Sequence, residues 1–237
     1  IPQDIDRFRN APYWKERFGD LDFDKNKFKW TLFYEELADR LIAYKDKRQE
    51  LCSFINQTAN KFDLLYLKEK KLSDICPFTV LEIFNRNIAD KRRREIAQDL
   101  ADFLKVTESV PLSFDGVPVL NNQKSGFFDL EGGGATADTE VLWECFEGAL
   151  QFEDMGSPET RSQFSSIYDR VISQYAIGWN ITMALFWVRP WSYVSLDNRS
   201  RLYITKRLAI EIGKNEPSGY CSVKDYLKII QELELRF

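Results

Sequence analysis

The sequence predicts a mainly α protein, on three observations. Apolar residues recur at spacings of three, four and seven through most of the chain. Ser, Asp and Asn stand where several of these runs begin, and Gly, Pro and Asn gather in one central segment. The 237 residues suffice for one large domain, or two small ones, with a substantial core.

Residues 1–30 interleave aromatics with charges ("PYWKERFGDLDFDKNKFKW") and show no clean period. From Thr31 onward Phe33, Leu37, Leu41, Tyr44, Leu51, Cys52 and Ile55 predict the stripe of one long amphipathic helix. Ser73 to Pro77 reads as a turn, and Phe78 to Phe84 as a short apolar helix. Asp90 is expected to cap the next helix, with Ile96, Leu100, Phe103 and Leu104 facing inward. The segment "VPLSFDGVPVLNNQKSGFFDLEGGGATAD" is loop-rich, with at most short extended pieces around Val117–Leu120 and Gly126–Leu130.

Leu142, Phe146, Ala149 and Leu150 mark another helix. Ser157-Pro158-Glu159 starts the following one, which carries Phe164, Ile167, Tyr168, Val171, Ile172 and Tyr175. Gly178 breaks the chain, and Asn180 is expected to cap Ile181–Val188, a helix apolar on every side and therefore interior. Ser222 and Asp225 form a near capping box before Tyr226, Ile229, Ile230 and Leu233. There is no internal repeat. The reading is a single domain, 1–237, with lobes 1–110 and 139–237 as an alternative division around the loop-rich segment.

Composition excludes several classes of chemistry. The chain has no histidine, which removes Ser-His-Asp and Cys-His catalysis and HExxH metal sites. Cys52, Cys76, Cys145 and Cys221 lie far apart without a CxxC, so zinc spacing is absent and a reducing, cytoplasmic compartment is expected. No apolar run approaches the ~20 residues that span a bilayer. The net charge of −4 means that any phosphate contact needs a local patch. "EGGGATADTE" lacks the Lys-Ser or Lys-Thr of a phosphate loop and reads as a flexible loop. Asp20, Asp22 and Asp24 alternate as in calcium loops, but no closing Gly and Glu follow. No metal site, cofactor or catalytic residue is expected. Ile1 in place of an initiating Met implies processing or excision from a longer chain.

Two basic stretches stand out. In "DKRRRE", Lys91, Arg92, Arg93 and Arg94 crowd the first turn of a helix, where the dipole does not favour positive charge. Between Phe186 and Arg207, Arg189, Arg199, Arg201, Lys206 and Arg207 face only Asp197, with Trp187, Trp191, Tyr193 and Tyr203 interleaved. Aromatic faces stack on bases while arginines neutralise phosphates, so the mixture suits unstacked nucleotides. The expectation is that Trp187, Trp191 and Tyr193 line a base pocket, with Arg189, Arg199 and Arg201 at its mouth. Asp197 would orient these arginines, and Lys91–Arg94 would add a backbone contact. The structural alternative is that the tryptophans pack around Arg189-Pro190 and that Asp197 caps the next helix.

"FYEELADRLIAYKDKRQEL", "PFTVLEIFNR", "FDGVPVLNNQKSGFF", "LWECFEGALQF" and "YAIGWNITMALFWVRPWSYVSLDNRSR" occur in an order that resembles the amino-terminal region of bacterial McrB-like proteins. These are GTPase subunits of modification-dependent restriction systems. The resemblance implies a cytoplasmic DNA-recognition domain, reading in many such systems a modified base. It also implies an AAA+ motor domain downstream in the same parent protein and a McrC-like nuclease subunit as partner. The sequence departs from the full-length pattern in having no Walker lysine, so GTP hydrolysis is not assigned to it and no enzymatic activity is expected. The rival expectation is an assembly module that docks the motor ring or another protein without binding nucleic acid.

Overall fold

The computed structural model describes residues 28, 30–68, 72–121, 127, 136–151, 158–174, 177–213 and 219–237. Its described part is mainly α, with ten α-helices and one isolated parallel bridge, Arg86 to Leu120. The expectations for residues 1–27, 122–126, 128–135, Ser157 and Tyr175 lie outside the described residues.

The predicted long helix divides. Helix α1 spans Trp30–Leu41, a 3-10 turn covers Ile42–Tyr44, and α2 resumes at Arg48–Lys61. A continuous helix would carry the stripe from Leu41 to position 48, seven residues on, and that position is an arginine. The break leaves Arg48 half-buried instead, ion-paired with Asp74 and Glu140. After the single turn α3 (Leu65–Lys68), α4 (Pro77–Glu82) begins with Pro at its first position and the Cys76 sulfur accepting from Thr79 N.

Helix α5 spans Asp90–Leu104, but Asp90 is its first helical residue and Ala89 its cap. The Asp90 carboxylate thus acts in the first turn, where the macrodipole favours an anion. Ile96, Leu100 and Leu104 are buried as expected, and Phe103 is partly buried. The glycine-rich stretch proves helical at its end: α6 runs Thr136–Gln151. Helix α7 is Pro158–Ile172, α8 is Asn180–Val188, α9 is Asn198–Arg207 and α10 is Val223–Glu234.

Asn180 does not cap α8; its Oδ1 reaches back to accept from Gly178 N at 2.7 Å. The α8 prediction otherwise stands, with seven of its nine residues buried. It packs against α1, α4 and α6, so elements on both sides of the loop-rich segment share one core. Near its start, Trp179 N donates to Gly219 O at 3.2 Å. A Cβ at Gly178 would lie 2.6 Å from that same oxygen, so only glycine fits this approach. Among the described residues no helix is long and apolar enough to cross a membrane.

Candidate functional site

The expected base pocket is not assembled. Trp187 is fully buried, donates from Nε1 to Pro118 O at 3.0 Å and meets the Phe127 ring edge-on at 6.0 Å. Tyr193 is also buried, stacked on Phe164 at 5.7 Å, with its hydroxyl donating to Ala149 O at 3.3 Å. Burial raises its phenol well above the ordinary value. Trp191 is half-buried and tilts against Phe28 at 6.1 Å. An all-apolar helix has no solvent face, so its indole goes inside and the hinge aromatics follow.

The arginines are dispersed. Arg189 is only 9% exposed; it donates to Asp39 Oδ1 at 2.6 Å and to Val188 O at 3.0 Å, tying the end of α8 to α1. Arg201 is half-buried with its guanidinium 4.2 Å from the centre of the Trp179 ring, and burial lowers its pKa. Arg199 is exposed. Asp197 does not orient the arginine side chains: it caps α9, accepting from Arg199 N at 2.8 Å and Ser200 N at 3.2 Å.

The "DKRRRE" run is likewise not one surface. Lys91 is exposed and 3.9 Å from Glu95, Arg92 is partly exposed, and Arg94 donates to Leu112 O at 2.9 Å. Arg93 turns into the protein, where its Nη2 donates to Asn85 Oδ1 at 2.6 Å and to Tyr34 OH at 3.3 Å. A first-turn arginine one helical step before Ala97 and Ile96 lies on the inward face, whatever its charge.

Beside it sits a second buried ionic group. Glu82 and Arg86 pair at i, i+4 with both side chains almost wholly enclosed, and Arg86 lies 4.0 Å from the centre of the Tyr66 ring. Burial pushes the Glu82 carboxyl up to about 7, against the pull of Arg86. Glu82 Oε2 and Arg93 Nε have no hydrogen-bond partner. Tyr34 donates to Asn85 Oδ1 at 2.5 Å, and burial raises its phenol to about 12. This network joins α1, α4 and α5 inside the fold. Among those residues no three Cys, Asp or Glu side chains are grouped to hold a metal ion.

Helix α9 presents a face to solvent. Arg199, Leu202, Tyr203, Lys206 and Arg207 recur at i, i+3, i+4, i+7 and i+8, and all five are exposed. The helix contains no acidic residue. Arg199, Lys206 and Arg207 form no ion pair among the described residues. Inward, Ile204 anchors the helix at 4% exposure. Between α9 and the end of α10 runs an open groove of about 500 Å³, floored by Val194, Ile204, Leu208, Leu233 and Phe237 and rimmed by Arg199, Ser200 and Tyr203. Arg236 fixes this junction by donating to Leu208 O.

Tyr203, Lys206 and Arg207 belong to the basic stretch the sequence marks but not to the pocket expected from it, and the groove floor was not expected. The helical spacing of Arg199, Tyr203 and Arg207 was the signal for the first three. Nothing local announces that Leu233 and Phe237 meet them. No curated protein and no solved structure matches the chain. A family model described as a domain of unknown function, DUF8425, matches residues 30–237, and the chain therefore belongs to that family.

Proposed function

We propose that the chain is a non-enzymatic nucleic-acid-binding domain with DNA as its ligand and α9 as its contact surface. The observation that carries this reading is the exposed, acid-free stripe of Arg199, Tyr203, Lys206 and Arg207 in a protein whose net charge is −4. Cations with no ion pair among the described residues can neutralise phosphates, and an exposed tyrosine ring between them offers a face for a base. The resemblance to McrB-like amino-terminal regions supports the same reading. It extends the proposal to a cytoplasmic restriction system, with an AAA+ motor domain in the parent protein and a McrC-like nuclease subunit as partner. Base recognition in a pocket of Trp187 and Tyr193 forms no part of the proposal, because those rings are in the core.

The test is a titration of fluorescent DNA, single-stranded and duplex, methylated and unmodified, at several salt concentrations. The expected result is a steep loss of affinity with salt, each neutralised phosphate contributing a slope of about −0.7 to −0.9. Arg199→Ala, Lys206→Ala and Arg207→Ala combined should flatten that slope by about two to three units while leaving the thermal midpoint unchanged. A triple variant that binds as the parent does, or a parent that does not bind, refutes the assignment. The rival docking role rests on Leu202, on α9, and Leu235, just past the end of α10, which are 48% and 77% exposed. It gains if the DNA titrations are flat.

A further inference from the structure

We infer that the α9 groove takes one unpaired base of a single strand, and takes it without regard to which base it is. This deepens the nucleic-acid reading of α9 and rests on it. The groove, of about 500 Å³, has an apolar floor, and the Tyr203 ring stands at its rim, 58% exposed. The face of a base matches such a surface, whereas a phosphate does not. In a duplex the base faces are covered by their neighbours, and only groove edges and backbone are presented. The floor can therefore be covered only by a strand whose bases have left the stack. The charges agree. Arg199 precedes Tyr203 by four positions on α9, and Lys206 and Arg207 follow it by three and four. Along the axis the cations stand about 6 Å to one side of the ring and about 4.5–6 Å to the other. A base laid on Tyr203 carries a phosphate on either side, and a cation on either side meets it.

Indifference to the base follows from how the polar atoms of the groove are engaged. Val194 O accepts from Tyr226 OH at 2.9 Å, Ile204 O from Ile210 N at 3.2 Å, and Leu208 O from Arg236 Nη1. Ser200 Oγ donates to Asp197 Oδ2 at 2.9 Å. Reading the edge of a base takes donors and acceptors aimed at it. Here those groups are turned to partners within the protein. Stacking and apolar contact remain, and every base has a face that satisfies them. A methylated cytosine is accordingly held much as its unmodified counterpart is.

The experiment titrates the full chain at low salt into fluorescein-labelled strands of equal length. They are oligothymidine, oligodeoxycytidine, its 5-methylcytosine counterpart, and an abasic strand that keeps every phosphate. Oligothymidine should bind about fivefold tighter or better than the abasic strand, and tighter than the same oligothymidine paired with its complement. Tyr203→Ser should bring the ratio of oligothymidine to abasic affinity close to one. Tyr203→Phe, which keeps the ring, should keep the ratio. The three base-bearing strands should agree within about fourfold, the worth of one methyl group on an apolar floor. A preference of about tenfold or more for any one of them overturns the indifference. Equal, salt-dependent binding of oligothymidine and the abasic strand, or duplex binding as tight as that of the single strand, overturns the base's place in the groove while the nucleic-acid reading survives. No binding of any strand or duplex refutes that reading, and this inference with it.

Discussion

Arg93 donates to Asn85 Oδ1 at 2.6 Å while its guanidinium lies 4.1 Å from the centre of the Phe114 ring. One side chain thus completes a buried polar network and covers an aromatic face. Arg93→Ala should remove about 3 kcal/mol of stability in urea unfolding, because Asn85 and Tyr34 lose a charged partner inside the core. Arg93→Lys should recover little of it, since an ammonium neither forks nor stacks. Lys91→Ala, two residues away on the exposed face, should change stability by less than about 0.5 kcal/mol.

Glu82 predicts how stability depends on pH. Its carboxyl is raised to about 7 by burial, so between the ordinary glutamate value and about 7 the folded state holds a proton that the unfolded state has released. Its contribution is fully present below the unfolded pKa and is lost as pH rises through the folded one. Glu36 works in the opposite direction. Burial alone would raise it, but hydrogen bonds from Glu108 N, Thr107 and Arg40 outweigh that and lower it, so its contribution is lost as pH falls below the usual glutamate range. Unfolding free energies measured across this range should therefore decline from about pH 5 to pH 7. Glu82→Gln should flatten that decline, and Glu82→Leu should lose about 3–5 kcal/mol by stranding Arg86.

Two glycines should respond to alanine with opposite sign. At Gly178 the new methyl would sit 2.6 Å from Gly219 O, a backbone atom that cannot swing aside. Gly178→Ala should cost about 1–3 kcal/mol through overpacking. At Gly148, inside α6, the methyl would meet only Ile167 Cδ1 at an ordinary 3.5 Å. Gly148→Ala should gain about 0.5–1 kcal/mol from helix propensity. Thermal melts of the two single variants check both.

Local chemistry made much of the fold legible. The absence of any charge in "NITMALFWV" placed α8 in the interior, and Ser222 does cap α10, accepting from Asp225 N at 3.2 Å. Asp197 caps α9 as one of its two readings required. The break before Arg48 was hidden because the flanking apolar residues keep near-helical spacing, whereas the deciding partners, Asp74 and Glu140, are distant in sequence. The site was less legible for a related reason. Clustered arginines look alike in sequence, yet Arg93 and Arg189 are claimed by Asn85 and Asp39, and only tertiary structure brings those acceptors to them.

The Trp179–Gly219 hydrogen bond fastens together the two ends of the stretch that carries α8 and α9. That stretch is consequently a buckled belt, whose closure entropy is settled within the fold itself. Arg201, laid on Trp179, stitches α9 to the buckle. A helix held at both margins presents its outer stripe as a fixed platform, so a ligand that engages it forfeits little ordering entropy on arrival.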